Sequence, residues 1–330
     1  MIYTSSHKKE TKRGDSIKIL QIISQFAKEK NCLIGITDPT PIHGLKERLE
    51  QTETPFTNKS LERRLLPSHH LSSVKSIIVL ALPYAPLGEE ISSVIAAADE
   101  QYIGLISSMA LNLDYHKSIK GLLDELVQLI SPHNHKILVD SGGLVEREWA
   151  VKAGIGFWGK NCCIISPSIG SFFNIGLLLT DLELPSLIFE NESTHLLGNT
   201  SNEKNNCGEC TKCIEACPGK ALTPFRLYHK KCVSYIGSKK GELTEEEQKI
   251  MGRWVYGCDV CQRVCPHNEA VLPECPDISL HNLMMNEEKF NQIFGQTTLT
   301  WKGPEILKRN VTAVFKTTYK REQLEIAGDN

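Results

Sequence analysis

Nine of the 12 cysteines in this 330-residue chain fall between Cys207 and Cys275, and their spacing is its strongest chemical signal. Cys207, Cys210, Cys213 and Cys217 run C-x2-C-x2-C-x3-C, with Pro218 behind the last. In that bacterial ferredoxin pattern three thiolates hold one 4Fe-4S cubane on a tight loop, while the fourth turns away to ligate a second cluster. A reciprocal run is therefore required, and Cys258, Cys261 and Cys265, followed by Pro266, supply it. Together the runs give seven thiolates where two cubanes need eight. Cys232 and Cys275 are the candidates for the last place; Cys232 is preferred, because it lies between the runs where the chain must return to the second cluster. The expected sets are Cys207, Cys210, Cys213 and Cys265 for one cluster, and Cys217, Cys232, Cys258 and Cys261 for the other. Zinc is the main rival for paired C-x2-C elements, but the x3-C-P ending has no role in a tetrahedral zinc site. Cys32, Cys162 and Cys163 lie in apolar surroundings and read as core filling, with Cys275 a spare.

The elements that must position this chemistry are mixed α/β. Residues 16–28 show helical apolar spacing, and SIIVLAL over 76–82 reads as a buried strand. Residues 110–130 read as one amphipathic helix, with Leu122, Leu123, Leu126, Leu129 and Ile130 on one side. KILVD over 136–140 reads as a short buried strand that delivers Asp140 at its end, where open α/β sheets place their chemistry. A helix over 146–153 follows, then a glycine segment, then strands over 164–166 and 175–180. Gly154, Gly156 and Gly159 have GxGxxG spacing but follow a helix instead of opening one, which argues against a dinucleotide site. They suit close backbone approach to a large flat cofactor or a phosphate.

Composition narrows the class. At 41% apolar, 23% charged and a formal net charge of −2, the chain reads as a soluble globular protein with a substantial core. A polar, lysine-studded start and the lack of a long apolar run point to a cytoplasmic protein with no membrane partner. Cysteine usage changes near residues 199–206 and divides the chain into at least two parts.

The block VDSGGLVEREWAVKAGIGFWGKNCCIISPSIGSFF, with TDLEL, the CGECTKCIEACP run, KKCVSY and YGCDVCQRVCPHN after it, resembles the epoxyqueuosine reductases. The likeness runs in order over residues 30–320 and involves motifs in both halves. It implies an α/β (α+β) cobalamin-binding catalytic domain over 1–198, a double 4Fe-4S ferredoxin-like domain over 199–275 and a short HEAT-like helical tail over 276–330 that contacts tRNA, a plan similar to that of the reductive dehalogenases. The implied reaction reduces epoxyqueuosine to queuosine in the tRNA anticodon loop, using base-off cobalamin, two 4Fe-4S clusters and an external electron donor.

On this resemblance Asp140 is the proton donor. An epoxide oxygen leaves poorly unless protonated, and a carboxyl desolvated beside a corrin would stay protonated near neutrality. The resemblance also assigns cofactor contacts to Arg64, Asp140, Lys160, Asn161, Ile164, Ile175 and Ser234. The chain lacks D-x-H-x-x-G, so His116, within Asp114-Tyr115-His116, is expected to be structural and not a cobalt ligand. Ser108 and Asn112 stand where family members carry an arginine and a glycine.

Net charge gives no global case for RNA, so any contact must be local. Residues 226–240 carry five Lys/Arg and no acid; residues 302–321 carry six against Glu305 alone, with Trp301, Phe315 and Tyr319 interleaved. Both suit phosphate contacts with stacking. Two rivals remain: a dehalogenase-like reductase of a small molecule with the same cofactors, and an electron-carrying ferredoxin with an accessory domain.

Overall fold

The computed structural model describes residues 4–50, 59–96, 102–140, 143–190, 193–196, 206–275 and 277–319. Six antiparallel strands form the main sheet, in the order His135–Leu138, Phe173–Thr180, Ser76–Pro83, Leu33–Thr37, Leu187–Glu190, Ser193–Leu196. Side chains alternate across a strand, and here both faces are covered. Ile78 and Leu80 face the helices Thr4–Glu29 and Tyr115–Ile130 through Ile23, Phe26, Ile119, Leu123 and Leu126. Ile77, Val79 and Ala81 face the Glu146–Lys152 helix through Trp149 and Ala150. That double burial makes residues 76–82 an unbroken apolar run. Gly35 is needed where the strand Leu33–Thr37 meets the end of the second layer, because a Cβ there would strike the Ala153 carbonyl.

Two expectations are corrected. The predicted helix over 110–130 is two: Ser108–Leu111 ends at Asn112, and Tyr115–Ile130 starts afresh with Asp114 as N-cap, its carboxylate accepting the His116 N–H at 3.1 Å. Leu129 consequently lies 50% exposed while Ile119 joins the core. The strand before Asp140 is not buried along its length: it lies at the edge of the antiparallel sheet with His135 and Lys136 exposed. Asp140 reaches its place through a left-handed residue, φ 52°, just beyond the strand.

A second core is shared by all three stretches of the sequence. Strand Ile103–Ile106 sits between Trp254–Tyr256 and Asp277–Ser279. Tyr102, Ile106, Val255, Ile278, Phe294, Val311 and Phe315 pack together there. The described helices after residue 276, Leu280–Leu283, Glu287–Phe294 and Pro304–Thr318, close this core. Asn310, fully buried in the last of them, donates to the carbonyls of Gly237 and Val255, both at 2.7 Å. Residues 197–205, where the linker was expected to begin, lie outside the described residues. Among the described residues no helix is long and apolar enough to cross a membrane.

Candidate functional site

The eight cysteines singled out by spacing fall into two groups. Cys207, Cys210, Cys213 and Cys265 line the walls of an open cavity of about 380 Å³ together with Lys160, Asn161, Ile165 and His267. Burial and the neighbouring Cys207, Cys265 and Cys210 push the Cys213 thiol up to about 11. Cys217 packs with Cys232 and Cys261 around Ala221 and Leu222. Burial pushes the Cys258 thiol up to about 12, and the charges of Cys232 and Cys217 act on it in the same direction. Cys232 thus stands with the second group, where it receives the backbone N–H groups of Tyr235 and Ser234. Four thiols spread around a cavity wall, aided by backbone donors, fit a cubane, whose sulfurs are set well apart. The Cys275 thiol lies 3.5 Å from the Ile106 carbonyl, and the residue packs against the same apolar cluster, around Val233 and Trp254, as Cys258.

Lys160 and Asn161 grip the cysteine loops. The Lys160 ammonium donates to the carbonyls of Gly208 and Cys210 at 2.6 and 3.0 Å. Asn161, 5% exposed, accepts the Cys163 N–H at 3.1 Å and donates to the Cys261 carbonyl at 3.4 Å. Cys163 is therefore not mere core filling: it hydrogen-bonds the Cys261 thiol and walls the second group. Position 163 carried no spacing signal, so the sequence could not reveal this. The two halves are also bolted together at Asn268, fully buried, which accepts the Ser171 N–H at 2.7 Å and donates to the Gln262 carbonyl at 2.7 Å. Gly170, φ 64°, leaves room for that contact.

Asp140 stands on a small polar platform. Its Oδ2 accepts the Tyr115 hydroxyl at 3.0 Å and lies 3.6 Å from His116 Nε2. The carboxylate is 62% exposed, so the desolvated state expected of it is not a property of this protein surface alone. Tyr115 and His116 stack at 4.4 Å, and Trp301 leans over His116 at 4.3 Å. Trp301 is brought there because its segment is tied to the helix break: Thr298 donates to the carbonyls of Asn112 and Met109, and Asp114 donates to that of Gln296. The break missed in the sequence is thus the joint that assembles the platform.

Burial and the nearby Asp140 push the Tyr115 phenol far up, so it acts as a neutral donor. Glu146, at the start of the next helix, is pushed up to about 8 by burial. Burial pushes the Tyr84 phenol far up, with Asp259 and Cys163 acting in the same direction, so it too stays neutral. Asp259, 2% exposed, is held by the backbone N–H and hydroxyl of Ser108 at 2.6 and 2.7 Å. The departures at Ser108 and Asn112 are therefore built into the packing, since Asn112 also accepts the Ala85 N–H at 2.9 Å.

The other predicted contacts are dispersed around this seam. Arg64 is half-buried at the end of the Leu61–Leu65 helix, against which the Gly143 loop lies. Ile164 and Ile175 join the apolar wall beneath the Glu146–Lys152 helix. The Ser234 side chain is exposed, and its contribution is the N–H on Cys232.

The basic stretches are less uniform than their sequence. Lys239 is paired with Glu247 at 2.6 Å, and Arg309 donates to carbonyls at the end of the Val233–Ser238 helix and just beyond it. Phe315 is buried and the Tyr319 hydroxyl bonds the Ile103 backbone, so neither is a stacking surface. Arg226, Lys231, Lys240 and Lys316 remain exposed, with Trp301 37% exposed. Lys320 and Arg321 lie outside the described residues.

Residues 206–268 match a family model described as a 4Fe-4S double cluster binding domain, and residues 64–141 one described as epoxyqueuosine reductase QueG, DUF1730. An epoxyqueuosine reductase of Bacillus anthracis is 31% identical over 298 residues, which cover 84% of this chain and 74% of the relative. The solved epoxyqueuosine reductase of Streptococcus thermophilus superposes with a TM-score of 0.76 at 28% identity, covering 94% of this chain and 83% of that one. A crystal structure of an epoxyqueuosine reductase with an epoxyqueuosine-modified tRNA-Tyr stem loop matches with a TM-score of 0.74 at 28% identity, covering 90% and 80%.

Proposed function

Because the chain belongs to the epoxyqueuosine reductase family, an oxidoreductase family, we propose that it reduces epoxyqueuosine to queuosine in the anticodon loop of tRNA. The observation that carries this reading is that one fold holds both a carboxylate, Asp140, fixed by the Tyr115 hydroxyl at 3.0 Å, and two gathered groups of cysteines.

In this reading Cys207, Cys210, Cys213 and Cys265 hold the outer 4Fe-4S cluster, and Cys217, Cys232, Cys258 and Cys261 hold the inner one. Electrons from an external donor would enter on the side of Cys207, Cys210, Cys213 and Cys265, whose cavity opens to the surface. Cobalamin, when bound, would supply the low-potential reducing chemistry. Of the residues assigned to it, the half-buried Arg64, Lys160 and Ile175 and the exposed Ser234 side chain would meet its ring and amide fringe, while Ile164 and Asn161 would support them from the interior. Asp140, oriented by Tyr115, protonates the leaving oxygen. Trp301 and the exposed Arg226, Lys231, Lys240 and Lys316 take the stem loop, with the helices after residue 276 as part of its seat. The protein works in the cytoplasm, where its tRNA substrate is modified.

Nucleoside mass spectrometry of tRNA from a strain lacking the protein tests this. Accumulated epoxyqueuosine that disappears on complementation is expected. Normal queuosine in the deletion strain would favour a small-molecule substrate and overturn the reading.

A further inference from the structure

Converting an epoxide to an alkene breaks two carbon–oxygen bonds, forms a carbon–carbon double bond and releases the oxygen as water. The change consumes two electrons and two protons. The electrons arrive through the cluster sites, but Asp140 carries only one proton at a time. A second proton must reach the same oxygen.

Glu146 is placed to provide it. Asp140, φ 52°, and Gly143, φ 111°, both have left-handed backbone. The Glu146 carboxyl lies within reach of its own backbone N–H and, more weakly, of that of Asp140, and it feels the Asp140 charge. Glu146 Oε1 is enclosed and has no hydrogen-bond partner. Glu146 as a whole is half-buried, and Oε1 is its enclosed oxygen. A charged carboxylate there would leave a buried oxygen without a donor, whereas the neutral acid avoids that cost. Facing it are Asp140, which opposes ionisation, Tyr115, which is held neutral, and Arg147, which favours ionisation. Arg147 is turned aside, donating to the Cys162 carbonyl at 2.9 Å and lying over the Trp158 ring. Burial outweighs it.

We propose that Glu146 is the proton reservoir of the Asp140 site, reprotonating Asp140 after its first transfer so that the second proton of epoxide removal comes from within the protein. The inference rests on the reductase reading above. Asp140 gives its proton to the oxygen, takes one from Glu146 and gives that to the same oxygen as water leaves. Both carboxyls end the turnover deprotonated, and two protons from solvent restore Asp140 and Glu146 before the next. Glu146 acts through Asp140 and is a positioning residue for the proton, not a group that touches substrate.

The test uses the holoprotein in single turnovers of an epoxyqueuosine-bearing stem loop, at pH values on both sides of about 8, the point at which Glu146 ionises. Wild-type turnover is expected to fall above that pH. Glu146→Gln should slow turnover about 10- to 100-fold at neutral pH, without the alkaline limb and with unchanged stem-loop affinity; Glu146→Asp should recover part of the rate. An infrared carbonyl band of a protonated carboxyl, lost in Glu146→Gln and titrating near pH 8, is expected without any turnover. A Gln variant with the wild-type rate and pH profile would overturn the proposal and leave Glu146 as the acidic residue of a helix start. If no protein, wild type included, reduces the stem loop, the reductase reading itself falls and takes this inference with it.

Discussion

The Tyr115 hydroxyl donates to Asp140 Oδ2 at 3.0 Å, and this bond ties the start of one helix to a carboxylate poised beyond an edge strand. Since Tyr115 is held neutral by burial, it fixes the carboxylate without competing for its proton. Removing one such bond costs about 1 kcal/mol of orientation. Tyr115→Phe is therefore expected to lower single-turnover rates by up to about tenfold, with cluster content and stem-loop affinity unchanged. A loss of affinity instead would place Tyr115 among the substrate contacts.

The eighth cluster ligand can be checked by iron analysis. Cys232→Ser is expected to cut iron by about half and remove one of two cubane signals in electron paramagnetic resonance of the reduced protein, whereas Cys275→Ser should retain both. Full iron in the Cys232 variant would send the assignment elsewhere.

Burial of Glu146 makes stability depend on pH with a definite sign. A glutamate in the unfolded chain ionises near 4.5, and in the folded protein near 8. Between those values the folded state binds the extra proton, so stability falls as pH rises from about 4.5 to about 8 and levels off beyond. Denaturant titrations should show this slope in the wild type and a shallower one in Glu146→Gln. Identical slopes would mean that Glu146 is ionised in the fold.

Asn310 joins the last helix to Gly237 and Val255 through two buried hydrogen bonds. Asn310→Ala removes the donor to both carbonyls, leaving Gly237 only its longer Arg309 bond at 3.3 Å, and should cost about 2 kcal/mol. An unchanged denaturation midpoint would show that the helix end can rearrange around the gap.

The exposed lysines should separate from the buried ones in their effect on RNA. Lys231→Ala and Lys240→Ala are each expected to weaken stem-loop binding and to reduce the dependence of log affinity on log salt by about 0.7–0.9 per charge removed. Lys239→Ala, which breaks the pair with Glu247, should affect stability more than binding. Equal salt slopes in all three would remove this surface from the interface.

The cluster chemistry was legible in the sequence because its spacing is local: three thiolates of each run lie within one loop. The return of Cys232 to the second group followed from counting and from its place between the runs. The platform around Asp140 was not legible. It depends on the helix break at Asn112, where only the capping residue Asp114 could have given a signal, and on Trp301, which arrives from far along the chain. Cys163 and Glu146 likewise acquire their surroundings only when strands and helices distant in sequence pack together. Charge reading also failed in part at Lys239 and Arg309, whose partners lie in other elements.

The central claim meets its most direct test in nucleoside mass spectrometry of an epoxyqueuosine-bearing stem loop after incubation with the purified protein loaded with both clusters and cobalamin, under a low-potential reductant. The account predicts conversion to queuosine by the wild type and an Asp140→Asn protein that keeps its clusters but makes no queuosine. Unchanged epoxyqueuosine with the fully loaded wild type, or equal conversion by Asp140→Asn, would contradict it.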